Sequence, residues 1–195
     1  MKARPIAGAT SVQADFMRVA HEAAYGRAFG EREADEIRAM KRRIETERLR
    51  PADRTTDIKL GHGGMSDIEF LTQLLQLRHG GANLSLRSVR TIDALDALAD
   101  AAVIPAPDAA RLTSSYRFLS RVRSRLSLLT GQTVDTYPKD ARRARALAIG
   151  FGTVDTPGRL AEQAFGNALE GRMQETRRIF ERHFREPDRP GGRRQ

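Results

Sequence analysis

The 195-residue sequence contains no cysteine and no tryptophan. Without cysteine the fold has no disulfide and no thiolate ligand for a metal ion. The four histidines, at positions 21, 62, 79 and 183, do not have the spacing of metal ligands. The sequence therefore predicts no zinc centre.

Long apolar runs are also missing. The longest ones fall well short of the roughly 20 residues that cross a bilayer, and the N-terminus lacks the hydrophobic core of a signal peptide. We therefore expect a cytoplasmic protein that does not contact a membrane.

Basic residues outnumber acidic residues by 34 to 25, which gives a formal net charge of +9. Such an excess favours an anionic partner, such as a nucleotide, a nucleic acid or an acidic protein surface, without choosing among them. Arginine is much commoner than lysine, as it is in proteins from GC-rich genomes. Base composition is therefore the alternative explanation for much of this charge.

Apolar residues recur at helical intervals along almost the whole chain, and no segment alternates with a period of two. This pattern predicts an all-α fold, a bundle of six to seven helices that forms one domain over residues 1–184. The first predicted helix begins after Ser11, the second covers 31–49, the third runs from the glycine loop to Arg78, and the fourth begins near Ser88. The fifth runs from the N-cap Asp108 to Gly131, the sixth covers 139–149, and the last runs from the N-cap Thr156 to Phe184. The basic tail, residues 185–195, has no apolar residue to bury and is expected to be disordered.

The segment DIKLGHGGMSDIEFLTQ, residues 57–73, is the most distinctive part of the sequence. Glycines at 61, 63 and 64 allow a sharp turn and a close approach to a ligand, and the first N–H groups of the following helix are expected to lack partners. That geometry suits a phosphate. The spacing matches neither the dinucleotide fingerprint nor a P-loop.

Three residues of this segment each permit two interpretations. Lys59 is either a phosphate ligand or an exposed surface lysine. Ser66 and Glu69 have the spacing of a capping box, but Glu69 also lies on a polar helix face, with Thr72, Gln73 and Gln76, that can face a cleft. Asp67 falls on the apolar half of the helix, where interaction with the helix dipole and a buried ion pair both fit.

The fifth helix carries two kinds of arginine. Arg117, Arg121 and Arg125 follow at intervals of four on the face opposite the apolar stripe, which is typical of a solvated face. Arg123 lies at the edge of the apolar arc, where an unpaired charge is costly, so we expect a carboxylate partner. Asp67 or Glu69 would supply it, and such a pair would hold the glycine loop against the bundle. The alternative is that Arg123 contacts a ligand directly.

Several segments resemble one known family. They are ARPIAG at 3–8, YGR at 25–27, IRAMKRRIETERL at 37–49, DIKLGHGGMSDIEFLTQLLQLRHG at 57–80, SYRFLSRVRSRLSLLTGQ at 115–132, TYPKD at 136–140 and RRIFERHF at 177–184. Together they resemble the C-terminal helical region of the glutamine synthetase adenylyltransferase family, which follows the second nucleotidyltransferase domain. The resemblance extends over most of the chain.

In that family a nucleotidyltransferase domain, whose carboxylates hold Mg²⁺ and ATP, is joined to a helical domain. The signature of the nucleotidyltransferase domain is Gly-Ser followed by paired aspartates. It is missing here, because no Gly-Ser dipeptide occurs in this sequence. The resemblance therefore implies the helical domain alone, with no catalytic residue and no metal ligand of its own. By resemblance, the residues that face the nucleotidyltransferase cleft and the nucleotide are Lys59, Gly61, Gly63, Gly64, Asp67, Glu69 and Gln73.

The complete enzyme transfers AMP from MgATP to a tyrosine of glutamine synthetase, and reverses this by phosphorolysis, to control nitrogen assimilation. The resemblance thus implies glutamine synthetase and the missing nucleotidyltransferase domain as partners, with this chain inactive alone and belonging to the adenylylating half. The alternatives are a free-standing basic helical protein that binds nucleic acid, and one that binds glutamine synthetase without modifying it.

Overall fold

The computed structural model describes residues 2–184 and is all-α in that range. It contains two short 3₁₀ helices, Pro51–Asp53 and Leu84–Leu86, and seven α-helices: α1 Thr10–Tyr25, α2 Glu31–Glu47, α3 Met65–His79, α4 Thr91–Asp100, α5 Ala106–Thr130, α6 Ala141–Gly150 and α7 Ala161–Phe184. The predicted all-α bundle is confirmed. The tail predicted to be disordered, residues 185–195, lies outside the described residues.

Two long helices, α5 and α7, pass through both halves of the core. The first half contains Leu112 of α5 and Phe180 of α7, packed with the buried faces of α3 and α4. The second half contains Val122 of α5 and Phe165 of α7, packed with α6. The beginning of α5 therefore meets the end of α7, so that the two helices run in opposite directions.

The start of α5 differs from the predicted N-cap. The helix begins at Ala106, directly after Pro105, and Asp108 lies buried in its first turn. Pro107 is tolerated in the first turn because the N–H group that it lacks would have no partner there. The Asp108 carboxylate accepts hydrogen bonds from Arg182 and His183 at the end of α7, at 2.9 and 2.8 Å. Asp108 therefore joins the ends of two helices instead of capping one.

The start of α7 also differs from the prediction. Thr156 and Pro157 do not open the helix, because Thr156 and Arg159 exchange backbone hydrogen bonds in a tight turn. The helix begins at Ala161, whose N–H group donates to the Asp155 carboxylate at 2.8 Å. A cap from Asp155 therefore replaces the expected cap from Thr156.

The first helix is present where the sequence places it, but most of its apolar face is exposed. Val12, Phe16 and Val19 are 64%, 51% and 54% exposed, while Tyr25 at the C-terminal end is buried. The Arg87 guanidinium lies 4.6 Å from the centre of the Tyr25 ring. Only the end of α1 is therefore fixed to the core. None of the helices between residues 2 and 184 is both long and apolar enough to cross a membrane.

Candidate functional site

The glycine loop before α3 packs directly against the backbone of α7. Gly63 has a φ of +76°, and a Cβ atom there would lie 1.7 Å from the carbonyl oxygen of Met173. A Cβ atom at Gly61 would lie 2.2 Å from the carbonyl oxygen of Asp57. Glycine is therefore required at both positions for close backbone contacts within the protein, independently of any ligand.

The N–H groups of this loop already have partners. The Gly63 N–H group donates to the Asp67 carboxylate at 2.7 Å. The N–H groups of residues 64 to 67 donate, in that order, to the carbonyls of Gly61, Ile58, Lys59 and Gly64 at 2.9, 2.9, 2.9 and 3.1 Å. The expectation that the first N–H groups of the helix lack partners is wrong, because the loop folds back on itself. No group of three or more potential metal-ligating side chains occurs among residues 2–184. The N–H groups of this loop are therefore satisfied within the protein, and the loop does not fit a phosphate.

A cluster of four charges, of which two are buried and two are partly exposed, holds this loop in place. Asp67 is fully buried, with one carboxylate oxygen 2.6 Å from Lys41 Nζ and the other 3.0 Å from Arg177 Nη1. Glu45 lies 3.1 Å from Lys41 and 2.8 Å from Arg177. We call these four residues the charge cluster. Of the two interpretations of Asp67, the structure shows the buried ion pair, and the cluster ties α2 and α7 to the start of α3.

The charge cluster is electrostatically self-compensating. Burial favours the neutral form of Glu45, but Arg177 and Lys41 outweigh it and lower the pKa of Glu45. Burial likewise disfavours the charged form of Arg177, but Asp67 and Glu45 outweigh it and raise the pKa of Arg177. Two carboxylates thus balance two cations in a region from which water is largely excluded.

The predicted capping box does not form. Ser66 Oγ accepts a hydrogen bond from Lys41 at 3.0 Å, so the charge cluster takes the group that the cap needs. The N-cap residue of α3 is Gly64, and no side chain caps the helix. Glu69 instead accepts a hydrogen bond from the Tyr116 hydroxyl of α5 at 2.8 Å.

Only part of the predicted polar face of α3 reaches the surface. Thr72 is buried and its hydroxyl donates to the Ile68 carbonyl at 2.7 Å. Gln76 is buried, and its amide donates to two carbonyls of the segment before α4. Glu69 and Gln73 are partly exposed. Glu69 and Gln73 are therefore the residues of this face that an external partner can reach.

A surface groove lies beside these residues, between α3 and α5. It has a volume of about 510 Å³ and is lined by Met65, Ser120, Arg123, Ser124, Ser127 and Leu128. Tyr116, on the same side of α5, has a raised pKa because of burial and of its hydrogen bond to Glu69. We call the surface formed by Met65, Glu69, Gln73, Tyr116 and Arg123 the α3–α5 face.

The predicted partner of Arg123 is wrong. Arg123 pairs with Asp135 in the segment that follows α5, and not with Asp67 or Glu69. Because Asp67 already has two cations and Glu69 accepts from Tyr116, neither is available to it. The backbone carbonyl of Asp135 also accepts from Ile58 N–H at 2.6 Å, so this segment does contact the glycine loop.

The sequence prediction missed the other members of the charge cluster, although signals for them exist. Lys41 and Glu45 have the i, i+4 spacing of a helical ion pair. Arg177 lies between Met173 and Phe180, which are core positions of α7, at intervals of four and three. A charge at that position on an apolar stripe needs a carboxylate, which is the argument already applied to Arg123.

Of the seven motif residues, the structure buries Gly61, Gly63, Gly64 and Asp67 in the contacts described above. Lys59, which precedes α3, and Glu69 and Gln73, which lie along its first three turns, reach the surface. Lys59 is exposed, and its side chain makes no contact with the described residues that involves its charge. The motif thus divides into a buried part that shapes the loop and an accessible part.

Comparison with known proteins gives consistent similarities. A family model described as GlnD PII-uridylyltransferase matches residues 38–184. The chain is 38% identical over 196 aligned residues to a bifunctional glutamine synthetase adenylyltransferase/adenylyl-removing enzyme from Leifsonia xyli. The aligned region covers 96% of this chain and 18% of that relative. Enzymes with the same name from Streptomyces avermitilis and Mycobacterium leprae are 41% and 38% identical, over 73% and 78% of the chain. The chain spans 14% and 15% of those two relatives.

Proposed function

Because the chain belongs to the family described as GlnD PII-uridylyltransferase, we propose that it serves as the helical module of a glutamine synthetase adenylyltransferase. The observation that carries this proposal is the match to such an enzyme over 96% of the chain at 38% identity. The same match favours the adenylyl group over the uridylyl group as the one transferred. Since the chain spans 18% of that relative, the module acts as a part of a larger enzyme.

In that enzyme, AMP moves from MgATP to a tyrosine hydroxyl of glutamine synthetase in the cytoplasm. Phosphoryl chemistry of this kind depends on metal ions that neutralise the phosphates. The glycine loop of this chain does not fit a phosphate, because its N–H groups already have partners within the protein, and the sequence contains no Gly-Ser dipeptide of a nucleotidyltransferase signature. ATP and Mg²⁺ are therefore assigned to the nucleotidyltransferase domain, and the chain alone is inactive.

The surface that meets the nucleotidyltransferase domain is the α3–α5 face together with Lys59. Lys59, Glu69 and Gln73 are the motif residues that remain accessible. The buried motif residues fix the position of this surface, because Asp67 and Gly63 join the loop to α2 and α7. A rigid surface beside a reacting centre keeps the nucleotide and its acceptor in register, which contributes strongly to rate.

To test this function, the chain is grafted into the Leifsonia xyli relative in place of the matched segment. We expect the graft to transfer labelled AMP from MgATP to glutamine synthetase. A graft that is folded by circular dichroism, binds ATP and still transfers no AMP would overturn the proposal.

Within the same graft, the double substitution Lys59→Ala/Gln73→Ala is expected to lower the rate of AMP transfer by at least about tenfold. The free energy of unfolding should stay within about 0.5 kcal/mol of the parent, because neither side chain makes a polar contact among the described residues. The matched control is Arg142→Ala/Gln163→Ala, which removes one charge and one amide from exposed positions. Equal rates for the two double variants would show that the α3–α5 face does not meet the catalytic domain.

A further inference from the structure

The outer face of α5, away from the α3–α5 face, carries a row of arginines. Arg117, Arg121 and Arg125 are exposed and follow at intervals of four, about 6 Å apart along the helix axis. Arg172 of α7 reaches the same surface. Among residues 2–184, none of these four forms an ion pair with a carboxylate, unlike Arg111 and Arg123 of the same helix.

This row borders a groove between α4, α5 and α7. The groove has a volume of about 620 Å³ and is lined by Asp96, Ala110, Thr113, Ser114, Arg117, Phe118, Arg121 and Arg172. A second groove of about 480 Å³ shares Ala110, Ser114 and Arg172 with it and continues it along α5. Both volumes fall in the range of small-molecule sites.

Aromatic rings hold the guanidinium groups in place. The guanidinium of Arg172 lies 4.8 Å from the centre of the Phe118 ring, and Arg121 and Arg125 lie 5.3 and 5.6 Å from the centre of the Phe151 ring. Stacking of this kind restricts the side chain but leaves the N–H edges of the guanidinium free. Less conformational entropy is therefore lost when these edges bind an anion.

Hydroxyl groups of the groove are also available as donors. Thr113 is 8% exposed, and its hydroxyl is buried without a hydrogen-bond partner among the described residues. Ser114 Oγ accepts from Arg172 at 2.8 Å, which leaves its own hydrogen free to donate. An unpartnered buried hydroxyl is costly, so an acceptor from a ligand would stabilise this region. Among the described residues, Asp96 is the one carboxylate that lines the larger groove, and Glu175 lines the second groove.

We infer that this groove binds a small anion that carries two or more phosphate groups. Guanidinium groups bind phosphate through paired charge-assisted hydrogen bonds, and Arg117 and Arg121 line the same groove, so that both can contact one ligand. A groove recessed between three helices fits a small ligand better than a nucleic acid or a flat protein surface. The inference does not depend on the proposed function, because it concerns a different side of α5.

The test is isothermal titration calorimetry of the 195-residue chain at physiological ionic strength, with inorganic tripolyphosphate and with ATP as separate probes. The groove variant is Arg117→Ala/Arg121→Ala. The matched control, Arg42→Ala/Arg48→Ala, removes the same charge from exposed positions on and next to α2. All four positions are exposed, so both variants are expected to keep the helical circular dichroism of the parent.

We expect saturable binding of one tripolyphosphate per chain, weakened about tenfold or more in the groove variant and unchanged in the control. Equal affinities for tripolyphosphate and ATP would mean that phosphates alone are recognised, and a tighter complex with ATP would add a contact to the nucleoside. Three results would overturn the inference: no binding of either probe, equal weakening in both variants, or binding of RNA or DNA without binding of tripolyphosphate.

Discussion

Gly63→Ala is expected to lower the free energy of unfolding by about 4 kcal/mol or more. Two costs combine at this position. The φ of +76° is unfavourable for any residue with a Cβ atom, and the added atom would lie 1.7 Å from the Met173 carbonyl oxygen. This contact joins backbone atoms of the loop to backbone atoms of α7, so neither side can move aside as a flexible side chain does. Urea denaturation followed by circular dichroism measures the difference.

A matched control separates the two costs. Gly158 has a φ of +79°, but no atom lies within 4 Å of the position of an added Cβ. Gly158→Ala should therefore show only the conformational cost, about 1–2 kcal/mol. If Gly63→Ala cost no more than Gly158→Ala, the close packing of the glycine loop on α7 would be contradicted.

Asp67→Ala is expected to cost about 3–5 kcal/mol. The substitution removes the carboxylate that faces both Lys41 and Arg177, and it also leaves the Gly63 N–H group without its acceptor. Lys41 is only 2% exposed, so water cannot replace the lost partner without local opening. Among residues 2–184, Glu45 is then the one carboxylate that still faces Lys41, while Arg177 keeps Glu45 and Glu181. Urea denaturation gives the change in the free energy of unfolding.

The control for this prediction is Asp15→Ala on α1. Asp15 forms an exposed pair with Arg18 at 3.8 Å, and such pairs contribute little to stability. Its removal should change the free energy of unfolding by less than about 0.5 kcal/mol. Similar small losses for both variants would mean that the charge cluster is hydrated in solution, contrary to the burial of Asp67.

The positions of the helices could be predicted from the sequence because helical periodicity is a local property. The same helical-wheel argument placed Asp67 on an apolar face, where the structure indeed buries it. The exact starts of helices were less predictable. Asp108 and Thr156 both have the chemistry of an N-cap, but Asp108 pairs with Arg182 and His183, and Thr156 is used in a turn. Tertiary contacts thus override a local capping preference.

The partners within the site could not be derived from periodicity. A wheel shows that Arg123 needs a carboxylate, but Asp135 becomes its partner only because the chain reverses after α5. Likewise, the glycines show that something must approach the loop closely. Whether that is a ligand or the backbone of α7 at Met173 depends on how distant segments pack. In both cases the sequence shows the requirement, and the three-dimensional structure shows which group meets it.

The central claim is that this chain is a working module of a glutamine synthetase adenylyltransferase. The most direct measurement is the rate at which the Leifsonia xyli relative, carrying this chain in place of its matched segment, transfers labelled AMP to glutamine synthetase. The reference is the same relative with that segment deleted. We predict clear AMP transfer by the graft and none by the deletion. A folded graft whose rate equals that of the deletion would contradict the account.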